Sequence, residues 1–253
     1  MTRRLLARLG FAATGVLYAT IGWAAARVAL GGAHDRIGGV GGALRSLLRQ
    51  PHGRAIVAAV GAGFAGFAIW HALEARKRRR TALARFGHVL GALGYAGLAA
   101  SAGSLLLRAA PPGGHFDRSL LEWLLARTWG VRLVQAAGAL AIAAGAAQVF
   151  EGATGNLRNR FAAAWLPRDV AGLTRGLARF GLAARGVVLI VIGYFQFRVA
   201  RDLDPREARE IGGALRVLSR SPVGGPLLLG IVAAGLMAYG VYMAVLALAA
   251  RRI

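Results

Sequence analysis

The sequence predicts an all-α integral membrane protein: six transmembrane helices arranged as three parallel two-helix repeats, with short interfacial amphipathic helices. Three observations lead to this fold class. Hydrophobic residues make up 57% of the chain and charged residues 17%, whereas soluble domains carry about 25% charged residues. The apolar residues are collected into runs long enough to cross a bilayer. The motif Leu-Ala-Arg-(Leu/Phe)-Gly precedes three of these runs, at residues 6–10, 83–87 and 177–181.

Run length separates membrane spans from the helices of a soluble core. About 20 residues at about 1.5 Å each cross the ~30 Å hydrocarbon layer. Six runs approach that length: Phe11–Leu30, Ala55–Leu73, Phe86–Leu107, Leu133–Phe150, Gly181–Ala200 and Pro226–Ala250. The first run follows a short basic N-terminus, as a secretory signal does. Because the same pattern recurs inside the chain, we interpret it as a membrane helix.

Internal repetition sets the domain organisation. A shift of 171 residues places residues 6–53 on residues 177–224 with 22 identities in 48 positions, and a shift of 77 relates the first copy more weakly to a middle copy. An even number of spans per copy makes the repeats parallel, and a pseudo-threefold arrangement is expected. The predicted units are repeat 1 (1–75), repeat 2 (83–151), an interfacial linker (152–176) and repeat 3 (177–253).

Short amphipathic segments lie between the two spans of each repeat. Residues 43–49 place apolar side chains at helical spacing opposite two arginines and end before Pro51, which is typical of a short interfacial helix. Residues 120–127 and 211–220 show comparable patterns. We therefore expect three such helices at one face of the membrane.

The net charge of +22 indicates attraction to polyanions, either nucleic acid or anionic lipid. The arginines fall mostly in short segments between apolar runs, and no free basic helix or aromatic platform is present in the sequence, so we expect no nucleic acid partner. The dense basic turn at residues 76–80 favours cytoplasmic N- and C-termini in the cytoplasmic membrane. The sequence contains no cysteine, which excludes thiol chemistry and disulfides.

Four arginines are candidates for lipid or anion contact: Arg8, Arg85, Arg179 and Arg185. The first three are the arginines of the repeated motif and lie near the start of a predicted membrane helix. At such a position an arginine reaches phosphate headgroups while its aliphatic stem stays in lipid. Alternatively, the three related side chains bind one anion near the axis. Arg185 has no basic counterpart, because Thr14 and Gly91 occupy the related positions.

A second group of polar residues forms a possible intramembrane site: His71, Glu74, His88, Gln148 and Glu151. His71 and Glu74 share a helix face, and Gln148 and Glu151 are their counterparts in the middle repeat. Carboxylates and histidines within a bundle could hold a metal or haem. The group is incomplete in two repeats and lies at the membrane edge, so we expect pairing with arginine, no metal and no cofactor.

No nucleophile elbow, Walker loop, HExxH motif or acidic dyad is present in the sequence. We therefore expect a non-enzymatic bundle that organises the membrane or binds lipids, with anionic lipids, a membrane-protein partner or another copy as possible contacts. The alternative is a small transporter or channel along the pseudo-threefold axis. The polar residues Thr14, Gln135, Gln148 and Gln196 suggest that alternative.

The repeated motifs also carry a family resemblance. The three Leu-Ala-Arg-(Leu/Phe)-Gly motifs, the steps Ile21-Gly22-Trp23 and Ile192-Gly193-Tyr194, and the Gly-Gly-Ala-Leu-Arg segments resemble a family of uncharacterised bacterial membrane proteins. These are built from three tandem copies of a two-helix domain of unknown function. The resemblance covers the whole chain and implies six spans in the cytoplasmic membrane, but it implies no activity or cofactor. The middle copy departs most, since it lacks both Gly-Gly-Ala-Leu-Arg and the proline.

Overall fold

The fold was obtained as a computed structural model that describes residues 2–31, 39–77, 81–107, 122–155, 168–202, 211–222 and 224–249. These residues form eight helices longer than one turn and no strand. The helices are α1 Thr2–Ala29, α2 Val40–Leu48, α3 Gly53–Ala75, α4 Ala82–Leu106, α5 Thr128–Thr154, α6 Arg168–Asp202, α7 Ile211–Ser219 and α8 Gly225–Ala249.

Six of these helices, α1, α3, α4, α5, α6 and α8, are long and apolar enough to cross a membrane. The predicted all-helical class with six spans is therefore confirmed, and the chain is a multi-pass membrane protein. The helices extend beyond the apolar runs. The clearest case is α6, which begins at Arg168 rather than at Gly181. An apolar run marks the part of a helix that suits lipid, whereas backbone hydrogen bonding continues into the polar flank.

The six long helices form an open ring. Neighbouring helices pack in the order α4, α3, α1, α8, α6, α5. The first helix of each repeat lies against the second helix of the repeat before it: α4 on α3, α6 on α5, and α1 on α8. This cyclic order is that of a pseudo-threefold ring of parallel repeats.

The ring is open within the middle repeat. In repeat 1, α1 also packs on α3, and in repeat 3, α6 also packs on α8. In the described residues, α4 and α5 form no comparable interface. The pseudo-threefold arrangement therefore has a gap between α4 and α5.

Close backbone contacts at glycines hold neighbouring helices together. A Cβ at Gly15 of α1 would lie 2.9 Å from the carbonyl oxygen of Gly240 in α8. The equivalent crossing of α6 and α5 joins Gly186 to Gly145, where a Cβ on either residue would meet the other's carbonyl oxygen. Lipid provides no hydrophobic force between helices, so such small residues allow the backbone contact that drives association. Leu17 of α1 belongs to a cluster of buried hydrophobic residues that also includes residues of α8.

The predicted amphipathic helices of repeats 1 and 3 are α2 and α7. Leu44 and Leu215 are fully buried, whereas Arg45 and Arg216 are exposed. The third predicted segment is described only from residue 122, and residues 122–125 form one helical turn. The part of the predicted linker at 156–167 lies outside the described residues.

The alignment of repeats 1 and 3 changes by one residue before α8. His52 and Gly224 share a left-handed backbone, with φ of 60° and 62°. The glycine that follows each of them, Gly53 or Gly225, closely approaches carbonyl oxygens at the end of the preceding short helix. The counterpart of Gly53 is thus Gly225 and not Gly224. Within α8 the correct shift is 172, so Met243 corresponds to His71, whereas continuing the shift of 171 would select Tyr242.

Candidate functional site

The arginine of each repeated motif caps a neighbouring helix. Arg8 donates from Nε to the carbonyl oxygen of Ala247 at 3.1 Å, near the end of α8. Arg85 donates to Ala75 at the end of α3 at 3.2 Å. The last carbonyls of a helix have no intrahelical donors and carry partial negative charge. Each guanidinium therefore stabilises the C-terminus of the preceding repeat's second helix.

Arg179 caps the C-terminus of α5 in the same way, with two hydrogen bonds. Its Nε donates to the Gly152 carbonyl oxygen at 2.9 Å, and its Nη2 donates to Ala153 at 2.7 Å. Hydrogen bonds from charged groups contribute about 1.5–3 kcal/mol each when they are protected from water, and less when exposed. The three caps follow the cyclic order of the ring, and together they define its arginine end, where α1, α4 and α6 begin. Lipid contact by the outer parts of these side chains stays a prediction.

Arg185 lies deeper in the bundle and makes different contacts. It follows Arg179 by six residues on α6, which places its Cα about 9 Å further from the arginine end. Its Nε donates to the Tyr18 hydroxyl at 2.8 Å, and its Nη1 donates to Gln148 Oε1 at 2.5 Å. The side chain thus joins α6 to α1 and α5 inside the ring.

Three tyrosines surround the Arg185 guanidinium. Its Cζ lies 5.7 Å from the ring centroid of Tyr18 and 5.5 Å from that of Tyr239, and these two rings meet edge to face. Tyr95 of α4 is close enough to interact electrostatically with Arg185 and both tyrosines. Its hydroxyl faces the buried Thr14 hydroxyl without a hydrogen bond of normal geometry. Five of the six long helices therefore contribute to this cluster.

The positive charge of Arg185 has no carboxylate partner among the described residues. A guanidinium carries five N–H donors, and the contacts to Tyr18 and Gln148 use two of them. The tyrosines and the glutamine supply dipoles and ring faces but no full negative charge. We call Arg185, Gln148, Tyr18, Tyr95 and Tyr239 the central arginine site.

The histidines form a separate pair between α3 and α4. The Nδ1 atoms of His71 and His88 lie 3.0 Å apart, so one ring donates and the other accepts. Glu74 is buried and pairs with Lys77. The His71 ring also stacks on Tyr95, with centroids 5.5 Å apart, which places the pair beside the central arginine site.

The structure divides the predicted polar group between two places. His71, Glu74 and His88 lie on α3 and α4, whereas Gln148 and Glu151 lie on α5. Gln148 binds Arg185, a contact between two residues that the sequence analysis assigned to different groups. In the part of the chain that the structure describes, no cluster of three or more potential metal ligands occurs.

The contact of Arg185 with Gln148 and the contact of Gly91 with His71 occupy equivalent positions in the ring. Arg185 faces Gln148 where α6 crosses α5. Gly91 faces His71 where α4 crosses α3, since a Cβ at Gly91 would lie 2.6 Å from His71 Nδ1. At equivalent positions of the pseudo-threefold arrangement, the crossing of α6 with α5 therefore contains Arg185, and the crossing of α4 with α3 contains His71 beside Gly91.

Comparison with known proteins identifies the family. The domain of unknown function DUF1206 matches twice, at residues 9–78 and 180–250. The chain belongs to the DUF1206 family. A curated relative of this DUF1206 protein is the uncharacterised protein YxxB of Bacillus subtilis strain 168, which is 30% identical over 242 residues, covering 93% of this chain and 86% of the relative. No solved structure matches significantly.

The two DUF1206 matches contain only part of the central arginine site. Tyr18 lies in the first match, and Arg185 and Tyr239 lie in the second. Gln148 and Tyr95 lie outside both matches, in the middle repeat. The site of this DUF1206 protein thus combines both matched segments with the repeat between them.

Sequence reasoning missed the three tyrosines of the site. One signal was present, because the shift of 77 residues that relates repeats 1 and 2 places Tyr18 on Tyr95. Tyr239 gave no such signal, since Phe67 occupies its structural counterpart in α3. Aromatic residues in apolar helices are usually packing residues, and only their contact with Arg185 shows another role.

Proposed function

We propose that the protein is a non-enzymatic membrane protein that binds an oxyanion, a phosphate or carboxylate group, at Arg185 inside the helix bundle. The supporting observation is a guanidinium with two of its five donors used and without a described carboxylate partner. Arginine is well suited to phosphate and carboxylate, because its planar donors match their oxygens. The chemistry implied is recognition of an anion, without bond cleavage.

A purely structural role for Arg185 is the competing explanation. Arginine at the centre of a membrane helix costs about 2.5–3.5 kcal/mol on insertion scales, so such residues usually face a partner or a water-filled space. The charge-assisted hydrogen bonds to Tyr18 and Gln148 offset this cost, but they leave the positive charge of Arg185 without a negative partner. A bound oxyanion would supply the missing negative charge.

Two sources could supply this oxyanion, an anionic lipid headgroup or a free anion. Native mass spectrometry of protein extracted with its own lipids tests the first source, and thermal stabilisation by inorganic phosphate in a neutral detergent tests the second. Arg185→Gln is expected to lose at least tenfold in either response. Arg127→Gln is the matched control, because Arg127 is exposed and donates to the Trp123 carbonyl oxygen before α5 begins. Loss of the response in the control but not in Arg185→Gln would contradict the proposal.

A small transporter remains the second candidate. Two of the polar residues that suggest a pathway, Thr14 and Gln148, lie at the central arginine site. Passage of phosphate or a carboxylate into liposomes that contain the protein, dependent on Arg185, would support this candidate instead of static binding.

For the orientation, we propose that the arginine end faces the cytoplasm. The support is the basic cluster there, which includes Arg76, Lys77 and Arg85, since cytoplasmic loops are enriched in basic residues. A cysteine introduced at Arg76 is expected to react with an impermeant label only after cells are opened. Labelling in intact cells would reverse the orientation.

A further inference from the structure

The gap between α4 and α5 exposes positions that are buried in the other two repeats. Leu90 of α4 corresponds to Ala13 of α1 and Ala184 of α6. Leu90 is 43% exposed, whereas Ala13 and Ala184 are 4% and 6% exposed. On the facing helix, Leu140 is 44% exposed, and its counterparts Gly63 and Gly235 are buried against Ala13 and Ala184.

The α4 wall of the gap is also thinner than its counterparts. Gly94 occupies the position of Leu17 in α1 and Val188 in α6, which are 2% and 3% exposed. A Cβ at Gly94 would meet nothing within 4 Å. A Cβ at Gly87, about two helical turns earlier, would also meet nothing within 4 Å, whereas its counterparts Gly10 and Gly181 lie against Phe67 and Tyr239. The missing side chain at Gly94 and the missing helix contact thus leave an exposed apolar strip between α4 and α5, which we call the channel.

The two helices that border this channel also reach the central arginine site. Both walls contribute to that site, α4 through Tyr95 and α5 through Gln148. Arg185 itself is only partly buried. The exposed apolar faces of α4 and α5 therefore belong to the same two helices that contribute Tyr95 and Gln148 beside this unbalanced positive charge.

We propose that the gap between α4 and α5 holds an acyl chain of an anionic phospholipid whose headgroup binds Arg185. This deepens the proposed function, on which it rests, by choosing a lipid over a free anion. A phospholipid matches both parts of the site, because it joins an oxyanion to a flexible apolar chain. A helix from a second copy would cover the apolar walls but would bring no negative charge to Arg185.

The test variant adds a side chain to the channel and leaves Arg185 unchanged. Gly94→Leu restores the side chain found at the equivalent position in α1. The matched control is Gly103→Leu, on the opposite side of α4, where a Cβ also meets nothing within 4 Å. The probes are nanodiscs of phosphatidylcholine with phosphatidylglycerol, and inorganic phosphate in neutral detergent. Gly94→Leu is expected to lose at least tenfold in retained phosphatidylglycerol while keeping its stabilisation by inorganic phosphate, and Gly103→Leu keeps both.

Failure of the channel and failure of the arginine site give different results. If Gly94→Leu keeps its phosphatidylglycerol, the channel proposal is overturned and Arg185 binding stands. If the wild-type protein responds to neither probe, the proposed function fails and the channel proposal fails with it.

A second measurement does not depend on lipid retention. The chain contains no cysteine, so Leu90→Cys with Leu140→Cys reports on the gap alone. The positive control is Ala13→Cys with Gly63→Cys, where the two Cβ positions lie 2.7 Å apart; a disulfide needs about 3.8 Å, hence a shift of about 1 Å. In phosphatidylglycerol membranes the control pair is expected to form an intramolecular disulfide and the Leu90/Leu140 pair to remain reduced. An intramolecular disulfide at Leu90/Leu140 would show a closed ring, and an intermolecular one would show a second copy; either result overturns the proposal.

Discussion

Gly15→Leu is expected to prevent stable assembly of the six-helix bundle, whereas Gly103→Leu leaves it intact. A Cβ at Gly15 would lie 2.9 Å from the Gly240 carbonyl oxygen and 3.3 Å from the Ala244 nitrogen. These are backbone atoms of α8, which cannot rotate away, so the two helices must separate. Overpacking typically costs about 1–3 kcal/mol and occasionally more, and a clash with backbone atoms belongs at the upper end of that range. At Gly103 an added Cβ meets no atom within 4 Å.

The measurement is thermal unfolding and size-exclusion chromatography in a mild detergent. Gly186→Leu provides a graded comparison, because it disrupts the equivalent crossing of α6 with α5 at one end of the open ring. That variant is expected to loosen α5 while the contact of α1 with α8 persists. Equal melting temperatures for Gly15→Leu and Gly103→Leu would show that the α1–α8 crossing does not hold the bundle together.

Removing the charge of the central arginine site is expected to stabilise the ligand-free protein. Arg185→Met alone removes a burial cost of about 3 kcal/mol but leaves the Gln148 oxygen without its donor, which costs about 1–3 kcal/mol. The single variant should therefore be near neutral. Combining Arg185→Met with Gln148→Leu removes both polar groups of the 2.5 Å hydrogen bond, and a gain of about 1–2 kcal/mol is expected.

The measurement is the melting temperature of delipidated protein in neutral detergent, with and without inorganic phosphate. The double variant should melt above the wild-type protein without phosphate and show no further rise with it. Tyr239→Phe is a suitable control, because it removes a hydroxyl and keeps the ring beside the guanidinium. A double variant that melts well below the wild type would show that Arg185 is a structural link between helices and not a binding group.

Most of the fold could be predicted from run length and repetition. Lipid requires every span to satisfy its own backbone, so long apolar runs can be assigned as helices with little ambiguity. The helix limits were less predictable, since α6 begins at Arg168, where the residues are polar. The gap in the middle repeat could not be predicted, because Leu90 and Gly94 are as apolar as the residues that pack in repeats 1 and 3.

The candidate site was predicted only in parts. Arg185 and Gln148 were recognised as unusual side chains in apolar helices, yet their contact joins residues 37 positions apart, and the contact with Tyr18 spans 167 positions. Such pairs depend on which helices are neighbours, and hydropathy does not specify this. The motif arginines show the same limit: their place at the membrane edge was predictable, but their carbonyl acceptors on another repeat were not.

The order in which the helices pack has a consequence for the insertion of the chain into the membrane. The tightest association of α1 is with α8, the last long helix of the described chain. Chains enter the membrane from the N-terminus, so the face of α1 that carries Gly15 and Gly22 stays against lipid until α8 has been made. Repeats 1 and 3 therefore remain separate partial structures for most of translation, and the core forms in a single late step. Conditions that delay insertion of α8 would leave a five-helix intermediate in which the α8-facing side of α1 is uncovered.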